Sequence, residues 1–161
     1  MNTKNITMLA AASLAAILLS GCKFGDSVAA YHSAPVECMG VEHDGSQTLR
    51  VTGTGRNKAD AVEQAKKNAV REVLFKGIRH GRQGCNMRPL VTEVNAEEKY
   101  ENYFNIFFAD GGEYLKYVSM ADERNRSRDK AQAKAFVSYT ITVRVLRAEL
   151  KERLRADHVI E

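Results

Sequence analysis

The chain has 161 residues, with 24 Lys and Arg against 20 Asp and Glu and a formal charge of +4. That bias is mild and well mixed, so it does not supply the clustered basic face that marks a nucleic-acid binder. Past the N-terminus no apolar stretch approaches the ~20 residues of a membrane span, and the length that remains suits one domain with a modest core.

In chain order, a start bearing Lys4 runs into an apolar stretch from Ile6 to Leu19, followed by Ser20-Gly21-Cys22. Charge, a short apolar run and small residues ahead of a cut are the order of a secretory signal peptide, residues 1–21. The run of about 14 residues is short for a spanning anchor. Leu19-Ser20-Gly21-Cys22 resembles the lipobox of bacterial lipoproteins. The resemblance implies that Cys22 becomes the mature N-terminus, that its thiol is lipidated, with palmitate among the attached lipid, and that the lipid holds the protein to a membrane. A plain signal peptide or an N-terminal anchor is the alternative. Several acyl chains on one cysteine hold lastingly where a single chain binds marginally. Lys23 stands where many Gram-negative lipoproteins carry an Asp for inner-membrane retention, so the resemblance also implies an outer-membrane anchor and a periplasmic domain.

Residues 22–46 read as lipidated N-terminus, tether and a segment leading into the domain, and 47–161 as a single domain. Cys38 and Cys85 are the thiols left after Cys22. In an oxidising compartment they invite a disulfide, which would stabilise by roughly 4 kcal/mol in the chain-entropy model. Two unpaired thiols are the alternative, since spacing does not show that the partners meet.

Thr48 to Thr52 alternates as a strand, and Gly53-Thr54-Gly55 reads as the tight turn that ends it. Asn57 is an N-cap, with Asp60 at the positive end of the helix dipole. From Lys58 to about Gly77, Ala59, Val62, Ala65, Ala69, Val70 and Val73 form one stripe that would meet a sheet. Ile78 to Arg88 is a loop of glycines and cations: Arg79, His80, Gly81, Arg82, Gln83 and Gly84, then Cys85. Pro89-Leu90-Val91 opens a short extended piece. Asn95 caps a second helix whose Tyr100, Tyr103, Phe104, Phe107 and Phe108 recur at helical spacing, and Asp110-Gly111-Gly112 stops it. Tyr114 to about Asp122 reads as a strand, and Ala133 to Leu146 as the clearest strand, with Val137, Tyr139, Ile141, Val143 and Val145 on one face. The polar link from Glu123 to Lys134 makes the two a hairpin with a solvated tip. A last helix runs from about Leu146 to Ala156. The order β-α-α-β-β-α predicts an α+β two-layer sandwich: a small antiparallel sheet of three to four strands with about three helices.

No sequence pattern here advertises catalysis. Lys58 stands where a dinucleotide-binding turn needs its third glycine, the four histidines lack ligand spacing, and no serine sits in a nucleophile elbow. The reading is non-enzymatic, with no catalytic residue, no metal, no cofactor and no small-molecule substrate. Two features stand above background. The aromatics between Tyr100 and Tyr117 either fill the core or, through Tyr114 and Tyr117, meet a partner. Arg124, Arg126, Arg128 and Lys130 either solvate the hairpin tip or receive an acidic protein or an anionic glycan.

Val51-Thr52-Gly53-Thr54-Gly55, the helix alanines Ala59, Ala61, Ala65 and Ala69, and the strand ending Thr142-Val143-Arg144-Val145 resemble two related small domains. These are the twenty-kilodalton outer-membrane lipoprotein family and the N-terminal domain of flagellar assembly protein T, over about residues 48–78 and 133–150. The stretch Tyr100-x-x-Tyr103-Phe104-Asn105-x-Phe107-Phe108-x-Asp110-Gly111-Gly112 resembles an accessory lipoprotein of a type VI secretion system. These likenesses imply a structural or assembly lipoprotein with a protein partner in an envelope-spanning complex such as a secretion apparatus. The alternative is a module that binds an anionic envelope component, peptidoglycan or lipopolysaccharide.

Overall fold

Alternation builds the two long strands. β2 (Gln47–Gly55) and β6 (Val137–Val145) pair antiparallel in unbroken register from Gln47↔Val145 to Gly55↔Val137. Leu49, Val51, Ile141, Val143 and Val145 are buried on one face, while Thr48, Arg50, Thr52, Thr54, Ser138, Thr140, Thr142 and Arg144 line the other. The computed structural model describes residues 35–85, 87–120 and 136–161, together with the backbone of 130–132. The signal peptide and Cys22 lie outside these residues.

Extended Asn57 accepts the Asp60 N–H at 3.0 Å and starts α1 (Lys58–Arg71). Ala61, Ala65, Ala69 and Val70 turn inward; Ala59 is exposed, so the predicted stripe shifts by part of a turn. The shift follows from Gly53 and Gly55. They are not a turn but residues of β2, and the helix backbone packs directly on them. A Cβ on Gly53 would overlap Ala61 O and Ala65 N, and one on Gly55 would stand 2.5 Å from Ala61 N.

α1 runs on into a π-helical turn, Glu72–Lys76, closed by Gly77 at φ +74, whose N–H returns to Glu72 O at 2.8 Å. Val73 and Leu74 instead offer their carbonyls to the Leu90 and Val91 N–H groups at 3.1 and 2.9 Å. That pairing holds the extended 89–91 segment against the end of the helix.

The α+β class holds, but the sheet is mixed and larger than expected. β1 (Glu37–Val41) pairs antiparallel with β2 and parallel with β3 (His80–Gly81). β4 (Val118–Ser119) and β5 (Lys130–Gln132) take opposite ends of the other side of β6, giving the order β3-β1-β2-β6-β4 with β5 beside β6. The domain therefore starts before residue 47, with Val36 already buried. A register shift between Cys38 and Gly40 breaks the alternation of β1 and hides it from a periodicity reading.

The aromatic helix is two short pieces, α2 (Ala96–Lys99) and α3 (Glu101–Phe107), parted at Tyr100. Asn95 precedes them in the left-handed region, φ +61, and its side chain makes no cap. The predicted strand at 114–122 is instead a 3-10 turn, Glu113–Tyr117, followed by the short β4. α4 (Arg147–Ala156) sends Leu150 and Leu154 into the same core as Phe104, Phe107 and Phe108. Among the described residues no helix is long and apolar enough to cross a membrane.

Candidate functional site

The aromatic residues settle first, because large rings in a small domain go where they displace most water. Phe104 meets Phe75 edge-on at 4.9 Å and Tyr103 at 5.1 Å, and Phe107 meets Phe108 at 5.1 Å. Phe104, Phe107 and Phe108 are buried, so most of this cluster is core rather than contact surface. Cations seal its rim: the Arg71 guanidinium sits 4.5 Å from the Phe108 ring centre while pairing with Glu97 at 2.7 Å.

Tyr114, expected as a contact residue, is fully buried. The 3-10 turn rotates it inward, where it packs on Phe108 and donates its hydroxyl to Glu63 Oε1 at 2.9 Å. Burial first, and then that carboxylate, push its phenol well above the usual tyrosine range. Tyr117 is half-buried and stacks on Phe107 at 6.1 Å. Arg124, Arg126 and Arg128 lie outside the described residues; Lys130 belongs to β5 by its backbone, and its side chain also lies outside them.

A polar chain ties α3, the 3-10 turn and α4 together. Tyr103 donates to Asp157 at 2.7 Å, Arg153 pairs with Asp157 at 2.7 Å and with Glu113 at 2.9 Å, and Glu113 also meets Lys116 at 2.9 Å. The Lys116 ammonium holds the Glu113 carboxyl below its ordinary range, while burial pushes the Tyr103 phenol up. These groups tie surface elements to one another. Among the described residues no cluster of His, Cys, Asp and Glu has the arrangement of a metal site.

Two surfaces were not singled out as sites by sequence. The first is the sheet face away from α1, where Thr52 and Thr140 share a hydroxyl contact at 2.9 Å and Thr54 and Ser138 another at 2.9 Å. Arg144 and Glu42 stand 3.8 Å apart at its end. The second is the loop after α1. Cys38 and Cys85 are joined by a disulfide with their Cα atoms 5.9 Å apart, and both are buried. Arg79, His80, Arg82, Gln83 and Gly84 remain exposed beside it. Gly81, at φ +133, presses on β1: a Cβ there would stand 2.6 Å from Cys38 N. The signal available in the sequence was an acid-free run between Glu72 and Glu93.

Comparison with family models, curated proteins and solved structures finds no match to this chain.

Proposed function

We propose that this chain is a non-enzymatic envelope lipoprotein, anchored through lipidated Cys22 in the outer membrane. Its α+β domain acts as a structural or assembly component of an envelope-spanning complex such as a type VI secretion apparatus. The observation that supports this most is the buried Cys38–Cys85 disulfide. Disulfides persist in oxidising compartments and are rare in the reducing cytosol. With that pair formed, Cys22 is the one thiol left of three, at the position the lipobox assigns to lipid. The lipid supplies location, and confinement raises the effective concentration of the domain for other membrane-bound proteins.

The test joins two measurements on cells producing the full chain. Metabolic labelling with palmitate is expected to mark the protein and to be lost in Cys22→Ala, with the wild-type chain fractionating with outer membranes. Gentle extraction is expected to recover a protein partner in fixed stoichiometry. An unlabelled wild-type chain sinks the anchor, and extraction that yields the protein alone sinks the assembly role.

A further inference from the structure

Residues 73–92 contain Lys76, Arg79, His80, Arg82 and Arg88 and no Asp or Glu. Lys76 is taken by Glu72 at 3.2 Å. The exposed guanidinium groups of Arg79, Arg82 and Arg88 meet no carboxylate among the described residues; the acidic neighbour in register is Glu37, opposite His80. With no acid to offset them, Lys76, Arg79, Arg82 and Arg88 give this stretch a formal charge of +4, as much as the whole chain carries.

The loop is held rigidly. Ile78 and Met87 exchange both backbone hydrogen bonds at 2.9 and 3.1 Å, and the Cys85 N–H closes a turn onto Arg82 O at 3.1 Å. The Arg82 N–H donates to Cys38 O at 3.0 Å, and Cys85 is bonded to Cys38. The backbone that carries the cations is therefore in position before a ligand arrives, which lowers the ordering cost of binding.

The same bonds put the loop beside the place where the chain comes in from Cys22. Glu37 is in register with His80, and Cys38 with Gly81. About 15 peptide units join Cys22 to Glu37, so whatever path they take the first strand lies within ~50 Å of the anchor. No part of the sheet has a shorter leash than this edge.

We propose that the Arg79–Arg82 loop, with Arg88, docks on the phosphate headgroups of the anionic phospholipid surface that carries the Cys22 anchor. The inference rests on the anchor reading above. Lipid and basic patch then act as two attachments, and the second fixes orientation. Sheet order places β4 four strand spacings from β3, roughly 19 Å away, so docking turns the β4–β5 edge from the membrane.

Protein purified from membranes is placed in vesicles of phosphatidylcholine, with or without phosphatidylglycerol. Phenylglyoxal modification of Arg79 and Arg82 is then followed by mass spectrometry, with Arg56, 88% exposed, as reference. Phosphatidylglycerol is expected to slow modification of Arg79 and Arg82 about fivefold, to leave Arg56 unchanged, and to lose its effect in roughly 0.5 M salt. Equal rates in the two vesicles overturn the proposal, as does equal slowing at Arg56. Equal protection by inorganic phosphate in phosphatidylcholine vesicles reveals a small-anion site and overturns the membrane as occupant. The mass of the Cys22 peptide is read from the same samples. Without lipid it overturns the anchor reading and this proposal together, whereas a lipidated Cys22 with equal rates overturns this proposal alone.

Discussion

The two ends of α1 are packed by opposite means. At its start, Ala61 and Ala65 lie on Gly53 and Gly55, and backbone meets backbone with no side chain between. At its end, Arg71 lies over the Phe108 ring, and in the π-helical turn that follows, Phe75 meets Phe104 edge-on. Contact between backbones has no rotamer to adjust, so it rejects added volume. A cluster of rings is filled by side chains and suffers mainly when volume is taken away.

The largest effect is expected at the glycine end. Gly53→Val would drive branched carbons into the α1 backbone, beyond the ~1–3 kcal/mol of ordinary overpacking, and no cooperative unfolding transition should remain by circular dichroism. A folded Gly53→Val protein would show that α1 does not sit on β2 as described. At the ring end, Phe104→Ala should cost about 3–5 kcal/mol and leave a folded protein with a lower urea midpoint. If both variants behave alike, the contrast between the two ends fails.

A smaller change of opposite sign tests the sheet between them. Gln47 is fully buried at the start of β2, on the helix-facing side, and its amide has no hydrogen-bond partner among the described residues. Gln47→Met removes that desolvated amide at similar volume and should raise stability by about 1 kcal/mol, read as a higher urea midpoint. A loss of stability would mean that the amide is satisfied in solution.

The smallest effects come with pH and separate the charged rim from the ring cluster. Lys67 lowers the Asp110 carboxyl and Lys116 lowers that of Glu113. A depressed folded value means stability present above the ordinary carboxyl pKa and lost as pH falls through the folded one. Tyr103 and Tyr114 are raised above 10.0, so their contribution is present below that value and lost as pH rises past it. The urea midpoint should therefore decline at both limits. Tyr114→Phe should weaken the alkaline decline and leave the acid one unchanged.

How far the sequence could be read depended on how local the deciding contact was. The Asn57 cap and the alternation of β6 are written in neighbouring residues, and both were visible. Gly53-Thr54-Gly55 looked like a turn because glycine favours turns, and its use as a seat for α1 depends on alanines later in the chain. Tyr114 looked available because a strand would have exposed it, whereas the 3-10 turn buries it against Glu63. β1 was hidden by its bulge, and with it the register that brings His80 to the first strand. Arg79 and Arg82 read as ordinary loop residues because their mark, the acid-free run between Glu72 and Glu93, is spread over 20 residues and not written in immediate neighbours.

The disulfide also decides where tension goes. Cys38 is the second residue of β1, so a pull arriving through the tether meets it almost at once. From there the load crosses the covalent bond to Cys85 and continues toward the C-terminus. The rest of β1, β2 and α1 lie inside the closed loop and take load only through contacts such as the β2–β6 ladder. Pulled from both ends, the domain is loaded along that bypass, and the seat of α1 on its glycines lies off the covalent path.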